Sequence, residues 1–480
     1  MSRVPNPVRL VILYIGLALG RLGLIDPHRA KRTTELAWPR VVTGIARMSK
    51  NAVDVAMVGV AVGSAAIAGV GFAGPFWGLA FSIGGGIAGG TIALVSQRYG
   101  ADAHESLGVA VRSSTLLVII ISLPVVVVFW TIPHELISLL SSNAEAIDLG
   151  AAYLQVVGLA VPLAGLNLVG SRVLVGADDS YIAMLIRAGG AIANIVINAV
   201  LIFGLGLGVV GAAMGTVLSN LLVTAAFAIG LSRGRLIGIG EFPVQIDPFG
   251  AYVDMETIRD LISIGLPVMG RNLVWTVAEF PMLRILDVFG QDVVAAFVIA
   301  RRIWGIMNTP GWGFGLASSS LVGQSLGQSD EQTAEAYGRD IIRFSVSTYI
   351  VSAILIAIFA EQIVRLFVDS PTAPEIPIAV TLVYAACIAV ILQGVSSGAA
   401  GPLDASGDTV VPFVSQGLGM GLSIVFAAIG AFTPIGLWGL YIAFVAETSV
   451  PAAINYWRFR SGKWKAISRG YRPDTAADDD

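Results

Sequence analysis

Twelve long apolar stretches constrain the fold of this chain more than any other feature of its sequence. They cover approximately residues 36–58, 67–97, 107–130, 150–171, 181–203, 209–231, 258–286, 294–323, 340–361, 376–400, 409–431 and 437–459. Each is close to the ~20 residues that a helix needs to cross the hydrocarbon core of a bilayer. Only 13% of the residues are charged, whereas soluble domains contain roughly 25%. The sequence therefore predicts an all-α, polytopic membrane protein.

The basic residues indicate how these spans are oriented. Lys and Arg concentrate in the connectors that follow the even-numbered spans and in the C-terminal tail, whereas the other connectors carry mostly acids. Because basic residues are retained on the cytoplasmic side of a membrane, we expect both termini to be cytoplasmic in a multi-pass protein of the cell membrane.

Short motifs recur at a nearly constant spacing in the two halves of the chain. The pairs are 94–100 with 321–327, Asp179 with Asp408, Gly208 with Gly436, and Pro39 with Pro267. Four concordant pairs indicate a duplicated unit of six helices, so the two repeats are parallel and related by a pseudo-twofold axis along the membrane normal. This architecture is suited to alternating access, with a binding site between or inside the lobes.

The duplication predicts five segments. They are an N-terminal interfacial helix and basic linker (1–35), an N-lobe with helices 1–6 (36–231), a cytoplasmic connector (232–257), a C-lobe with helices 7–12 (258–460) and a cytoplasmic tail (461–480). We expect residues 8–25 to form an amphipathic helix on the inner membrane surface and residues 28–32 to be the linker. Pro39 and Pro267 are expected to open equivalent helices.

Several functional classes are excluded by what the sequence lacks. Cys387 is the only cysteine, so the chain has no intrachain disulfide and no cysteine cluster for zinc or iron–sulfur centres. No zinc-protease, nucleophile-elbow or phosphate-loop motif occurs, so we expect no enzyme activity. Any transport would then draw on an ion gradient or on a partner that hydrolyses nucleotide, and we expect no cofactor other than a coupling ion. We expect membrane lipids as partners, no nucleic acid, and a monomer.

Asp54 is the strongest candidate for a functional residue. An ionised carboxylate in a membrane helix costs about 2.5–3.5 kcal/mol, so it persists where it faces a wetted cavity lined by protein. Asn194, Asn198 and Thr216 fall at a similar depth, and the two asparagines share one helix face. Their oxygens suit a small cation or a protonatable acid. Two alternatives remain, namely an acid in interfacial water and asparagines that only join helices.

These features resemble a known family. The motif around Asp54 is Val-Asp-Val-Ala-Met-Val-Gly, and Gly-Ala-Asp-Asp-Ser precedes helix 5. Residues 194–204 and 215–216 follow in the first half, and residues 320–327 and 405–409 in the second. In order and spacing, the set is similar to the multidrug and toxic compound extrusion (MATE) family, DinF-like branch. The family belongs to a superfamily that also contains lipid-linked oligosaccharide flippases.

The resemblance implies twelve helices in two lobes and export of amphipathic, often cationic, compounds in exchange for protons or sodium. It also implies that Asp54, Asn194, Asn198 and Thr216 couple the ion, and that they would be the metal ligands if the ion is sodium. Asn198 stands where this branch commonly has a second acid, which favours protons. In the second lobe, Trp275 occupies the position of a glutamate found in other branches.

Charged residues elsewhere in the spans are possible modulators of the ion site. Lys50 lies one turn before Asp54 on the same face. Glu279, one turn beyond Trp275, and Arg301 fall at similar depths, which predicts an ion pair between helices 7 and 8. Arg302 and the other arginines of this lobe are either structural or, if unpaired in the central cavity, able to bind anionic headgroups.

Two further patterns have alternative interpretations. The glycine-rich segment 84–90 lacks the lysine of a phosphate loop and is expected to allow close helix packing. Trp304, Met307, Trp312 and Phe314 either line a drug pocket or pack in the protein interior. We therefore expect a secondary active exporter. A lipid-linked intermediate flippase with a cationic central cavity and a passive channel or receptor are the alternatives.

Overall fold

The computed structural model describes residues 6–368 and 373–473, and these residues are almost entirely helical. The first half of the chain contains α1 (Pro7–Arg21), α2 (Pro27–Ala61), α3 (Ser64–Gly100), α4 (His104–Thr131), α5 (Pro133–Ser138), α6 (Ala144–Val157), α7 (Ala160–Gly176), α8 (Ser180–Ala199), a π-helical turn (Val200–Gly204) and α9 (Gly208–Arg233). Two short antiparallel strands follow, β1 (Arg235–Leu236) and β2 (Gly240–Glu241). The second half contains α10 (Met255–Phe289), α11 (Gln291–Met307), α12 (Thr309–Gly327), α13 (Glu331–Ile358), α14 (Ala360–Arg365), α15 (Glu375–Ser406), α16 (Val410–Phe432), α17 (Leu437–Arg460), α18 (Lys463–Ser468) and a 3-10 turn (Arg469–Tyr471).

Every predicted span coincides with a helix or with a pair of consecutive helices. Within the described residues, nine helices are long and apolar enough to cross a membrane, and α6 with α7 forms a tenth span that is bent by 50°. The other two predicted spans coincide with α2 and with the pair α11–α12, which carry more charged or polar residues. The prediction of an all-α, polytopic membrane fold is confirmed.

The chain forms two compact units. The N-lobe unit is Val42–Met269, and the C-lobe unit is Gly270–Arg472 together with the residues up to Val41. Both divisions fall inside a helix, so α2 and α10 each contribute residues to both units. In the N-lobe unit, α3 packs against α4, α6 and α7, and in the C-lobe unit, α15 packs against α11, α12, α13 and α17.

The N-terminal segment differs from the prediction. Residues 28–32, expected to be a linker, form the first turns of α2. The helix continues because its basic side chains have partners in the same unit, and Arg29 Nε donates to Asp340 Oδ2 at 2.7 Å. Pro39 and Pro267 also lie inside helices and do not open them. They remain equivalent, because each lies at the same distance from the first residue of its helix.

The glycine-rich segment of α3 provides close helix packing, as expected. A Cβ atom at Gly84 would lie 3.0 Å from the Cα of Gly165 on α7, and one at Gly86 would lie 2.8 Å from the carbonyl oxygen of Gly265 on α10. Neither backbone could approach α3 so closely if these positions carried side chains. The small residues therefore hold α7 and α10 against the centre of the N-lobe unit.

The connector between the halves is fixed to the N-lobe unit. Arg112 on α4 donates from Nε to the carbonyl of Ala251 at 2.8 Å and from Nη1 to that of Asp247 at 2.9 Å. Asp254 then caps α10 by accepting the N–H of Thr257 at 2.7 Å, and this hydrogen bond lowers the pKa of Asp254 below its ordinary value.

Candidate functional site

Asp54 lies in a partly buried ion pair within the N-lobe unit. Lys50, one turn earlier on α2, places its Nζ 2.7 Å from Asp54 Oδ2, and both side chains are less than one-fifth exposed. The other carboxylate oxygen, Oδ1, accepts the Nδ2–H of Asn198 on α8 at 2.8 Å. Both oxygens of the carboxylate are therefore held by N–H donors, one charged and one neutral.

The two asparagines of α8 lie together, as their spacing predicted. Asn198 Nδ2 also donates to Asn194 Oδ1 at 3.3 Å, and Asn194 Nδ2 donates to Ser219 Oγ on α9 at 3.1 Å. Both asparagine side chains are fully buried. The chain of hydrogen bonds runs from Asp54 through α8 to α9, so these polar groups connect three helices through one carboxylate.

Asn198 Oδ1 is the exception in this network. It is buried and accepts no hydrogen bond from the described residues. This oxygen also lies beside Gly215 on α9, and a Cβ atom added at Gly215 would be only 1.7 Å from it. The glycine therefore leaves the space that the amide occupies. A buried acceptor without a partner costs about 1–3 kcal/mol, so this oxygen is a candidate acceptor for an additional donor.

Thr216 lies next to this network, and among the described residues it makes no hydrogen bond to Asp54. Its Oγ1 donates to the carbonyl of Ala212 at 3.1 Å, within its own helix, while its carbonyl accepts from Ser219 Oγ at 3.1 Å. Tyr153 on α6 lies close to both Asp54 and Thr216. Tyr153 also packs against the apolar cluster around the end of α2, and nothing in its sequence context singled it out.

The predicted pair between Glu279 and Arg301 is wrong. Arg301 on α11 instead pairs with Glu447 on α17: Nη1 donates to Oε1 at 2.8 Å, and Nη2 donates to Oε2. Glu447 is 1% exposed. Three aromatic rings surround the guanidinium within 5.4 Å, those of Phe297, Trp304 and Phe444. Residue depth along the helices could not show which face of α11 meets α17.

Glu279 lines a cavity of about 460 Å³ in the C-lobe unit. Its walls include Trp275 and Trp304, whose rings stack at 5.4 Å, together with Arg301 and Arg302. Within the described residues, Glu279 has no basic partner close enough for an ion pair. Trp304 thus lines a cavity. Met307 and Phe314 are buried in the core, and Trp312 is 40% exposed.

Within the described residues, no group of three or more His, Cys, Asp or Glu side chains could hold a metal ion. The proposed sodium ligands around Asp54 therefore include a single formal negative charge, and that charge is already paired with Lys50.

Comparison with known proteins places the chain in a family. The family model described as MatE matches residues 39–200 and 267–429, which together are more than half of the chain. The chain belongs to the MatE family. The two matched segments begin at the paired prolines, which supports the internal duplication.

Several relatives of this chain are named multidrug resistance proteins. The probable multidrug resistance protein NorM of Rhodopseudomonas palustris is 27% identical over 89% of this chain and 90% of its own length. The probable multidrug resistance protein YoeA of Bacillus subtilis is 22% identical over 87% of this chain and 90% of its own length. A solved structure, the outward-facing conformation of a multidrug resistance MATE family transporter, matches with a TM-score of 0.82 and 23% identity, and covers 92% of this chain and 96% of its own. The relatives of this MatE chain are transporters and not enzymes.

Proposed function

We propose that this protein is a secondary active efflux transporter of the cell membrane that exports amphipathic organic compounds by alternating access. The observation that carries the proposal is the Lys50–Asp54 pair, which lies partly buried in the first predicted span of a MatE-family chain. In this proposal Asp54 couples ion movement to transport, and both termini face the cytoplasm.

The geometry around Asp54 supports a switch between two pairings. In one state Lys50 neutralises the carboxylate. In the other, a coupling cation occupies the carboxylate, and the ammonium must separate from it, because two positive charges at one carboxylate repel each other. Lys50 and Asp54 belong to one helix, so a change of side-chain rotamer is enough to open the pair. The cation-bound and cation-free states then differ in the charge that α2 presents to its neighbours.

We favour protons over sodium as the coupling ion. Hard cations bind where several oxygens converge, whereas Asp54 is held by two nitrogen donors, from Lys50 and Asn198. Proton coupling needs only one titrating acid, and Asn198 Oδ1 is a free acceptor in the same site. Transport that depends on sodium at fixed pH, and that does not respond to a pH gradient alone, would contradict this choice.

The C-lobe cavity is the proposed compartment for the apolar part of a substrate. Its volume of about 460 Å³ falls within the range of about 300–1,000 Å³ that accommodates drug-sized molecules. Stacked Trp275 and Trp304 offer flat apolar walls, and Glu279 offers a carboxylate without an ion-pair partner. Arg301 and Arg302 also line the cavity, and an aromatic wall with a few charged groups is typical of small-molecule binding sites.

Transport in proteoliposomes tests the proposal. Purified protein would be reconstituted, and the movement of cationic ethidium and anionic carboxyfluorescein would be followed under imposed pH or sodium gradients. We expect gradient-driven movement of at least one dye by the wild type and none by Asp54→Asn. Counterflow without a gradient should persist in Asp54→Asn, because substrate binding does not require the charge.

The matched control is Asp287→Asn, which removes a carboxylate from an exposed side chain that is 72% accessible. This variant should transport at the wild-type rate. Gradient-driven transport by Asp54→Asn at the wild-type rate would exclude Asp54 as the coupling residue. If the wild type moves dye at the same rate with and without each imposed gradient, the protein is instead a passive channel.

A further inference from the structure

The cavity of the C-lobe unit is lined by two charges of opposite sign that do not pair with each other. They are Glu279 on α10 and Arg302 on α11. We propose that this cavity binds zwitterionic amphiphiles, with the cationic group of the ligand at Glu279 and its anionic group at Arg302. The inference rests on the proposed function, because it names the substrate class of the same cavity.

The turn between α10 and α11 places these two residues at the same level. Gly290 is the single residue between the two helices, and Leu286 and Val293 on either side of it pack in one hydrophobic cluster. Glu279 lies eleven residues before Gly290, and Arg302 lies twelve residues after it. At 1.5 Å per residue, the two positions are about 16 and 18 Å from the turn along their helices. Both charges therefore border one layer of the cavity.

Neither charge has a partner in the described part of the chain. In residues 6–368 and 373–473, Glu279 and Arg302 make no hydrogen bond or ion pair. Both side chains are exposed, so a ligand can reach each of them. Charges within a membrane span persist when they pair or when they serve function. These two residues line one cavity without touching, and a ligand with both charges would bridge them.

The third charged residue of the lining is already neutralised. Both terminal nitrogens of Arg301 donate to the carboxylate of Glu447, so this pair adds no net charge to the cavity. The other described residues of the lining are uncharged. Glu279 and Arg302 therefore give the cavity one negative charge, one positive charge and a net charge of zero.

This balance distinguishes between ligand classes. A cation without an anionic group would be attracted by Glu279 and repelled by Arg302, and for an anion the two effects are reversed. A zwitterion satisfies both residues and leaves neither charge unpaired. Its anionic group gains most from an arginine, because the planar guanidinium matches a carboxylate or phosphate with two parallel N–H bonds.

The tryptophan pair indicates what lies between the two charges of the ligand. Trp275 lies one turn before Glu279, and Trp304 lies two residues after Arg302. Their ring centres are 5.4 Å apart, with an angle of 29° between the planes. Aromatic rings attract both flat apolar surfaces and cations. We therefore expect a zwitterion with an aromatic body.

Equilibrium binding of three xanthene dyes to full-length protein in maltoside micelles tests the charge requirement. Tetramethylrhodamine is a zwitterion at neutral pH, its methyl ester has only the positive charge, and fluorescein is an anion with a similar ring system. We expect tetramethylrhodamine to bind with a Kd lower than that of either other dye by about tenfold or more, because each of the others leaves one charged residue unpaired. Protein-free micelles provide the background. Equal or tighter binding of the ester or of fluorescein, or no binding of tetramethylrhodamine, would overturn the proposal.

Two variants assign each residue to its own group on the ligand. Arg302→Gln should weaken tetramethylrhodamine by about tenfold and should not weaken its methyl ester. Glu279→Gln should weaken both dyes, because both carry the cation. The matched controls are Arg284→Gln and Asp287→Asn, which alter exposed side chains of α10 and should leave both Kd values unchanged. An equal effect of Arg302→Gln on the two dyes would contradict the assignment.

Arg302→Lys separates the loss of charge from a loss of structure. It keeps the positive charge, so it should bind tetramethylrhodamine more tightly than Arg302→Gln does and should retain part of the preference over the ester. Equally weak binding by the lysine and glutamine variants would show that the charge at this position is not what the ligand recognises, and the proposal would be lost.

The outcome is separate from that of the transport test. Binding is measured without a gradient, so the failure of Asp54→Asn to abolish gradient-driven transport would leave this result intact. Conversely, a wild-type protein that moves ethidium under a pH gradient, but binds tetramethylrhodamine no better than its methyl ester, would retain the proposed function and lose only this inference.

Discussion

Replacing Lys50 by methionine tests the ion site most directly. Methionine keeps much of the length of the side chain and removes its charge, while the Asn198 hydrogen bond to Asp54 stays in place. Without the ammonium, the carboxylate has lost its principal competitor for a coupling proton. Protonation should then occur at lower proton concentration, so the pH profile of transport should move to higher pH.

The distance sets the size of this shift. Two unit charges 2.7 Å apart interact by about 6 kcal/mol at an effective dielectric constant of about 20. Desolvation of the ammonium offsets much of this attraction, and the remaining Asn198 donor still stabilises the ionised carboxylate. We therefore expect a net effect of about 1.4–3 kcal/mol, which corresponds to a shift of about one to two pH units.

The assay is gradient-driven transport by proteoliposomes, measured at a series of pH values with a constant pH difference across the membrane. Lys463→Met serves as the control, because Lys463 begins a short helix after the last predicted span and is exposed. Lys463→Met removes the same charge, and we expect it to leave the pH profile of transport unchanged. If Lys50→Met and wild-type profiles coincide, Lys50 does not compete for Asp54, and the two-pairing switch must be abandoned.

Three further predictions concern stability and packing. Arg301→Met should destabilise the protein by about 3–5 kcal/mol, because it leaves Glu447 charged and buried; adding Glu447→Leu should restore most of the Tm, and an equally low Tm in the double variant would contradict this. Gly215→Ala should displace the adjacent asparagine amide and reduce transport, whereas Gly189→Ala, where a Cβ atom meets open space, should not. Asp254→Ala should cost about 1 kcal/mol at neutral pH. Since the folded-state pKa of Asp254 is lowered, this difference in the free energy of unfolding should be present above its unfolded pKa of about 3.9 and vanish as the pH falls through the folded value.

The sequence predicts the local parts of this structure well. A span of about 20 apolar residues has one stable conformation in lipid, and so ten of the twelve predicted spans are found as apolar helices in the described residues, counting the bent pair α6–α7 as one. The Lys50–Asp54 contact was also predicted, because residues four apart on one helix are neighbours. Asn194 and Asn198 share a face for that reason too.

Contacts between helices were harder to predict. Depth along a helix follows from a count of residues, but the rotation of each helix depends on the packing of its neighbours. Glu279 and Arg301 were correctly placed at similar depths, yet α11 presents Arg301 to Glu447 on α17.

The Arg301–Glu447 and Lys50–Asp54 pairs differ in ways that suggest different roles. Arg301 and Glu447 join two helices through two hydrogen bonds, with the carboxylate almost fully buried and the guanidinium enclosed by rings. Separating them would leave a buried charge and require helices to move, so this pair should remain closed in every state. Lys50 and Asp54 share one helix and one close contact, and both retain partial exposure. Exchange of a coupling ion is therefore expected in the N-lobe unit, while the Arg301–Glu447 pair keeps one wall of the C-lobe cavity in place. Substitution at Arg301 should accordingly lower the Tm far more than it shifts any pH profile, and substitution at Lys50 should do the reverse.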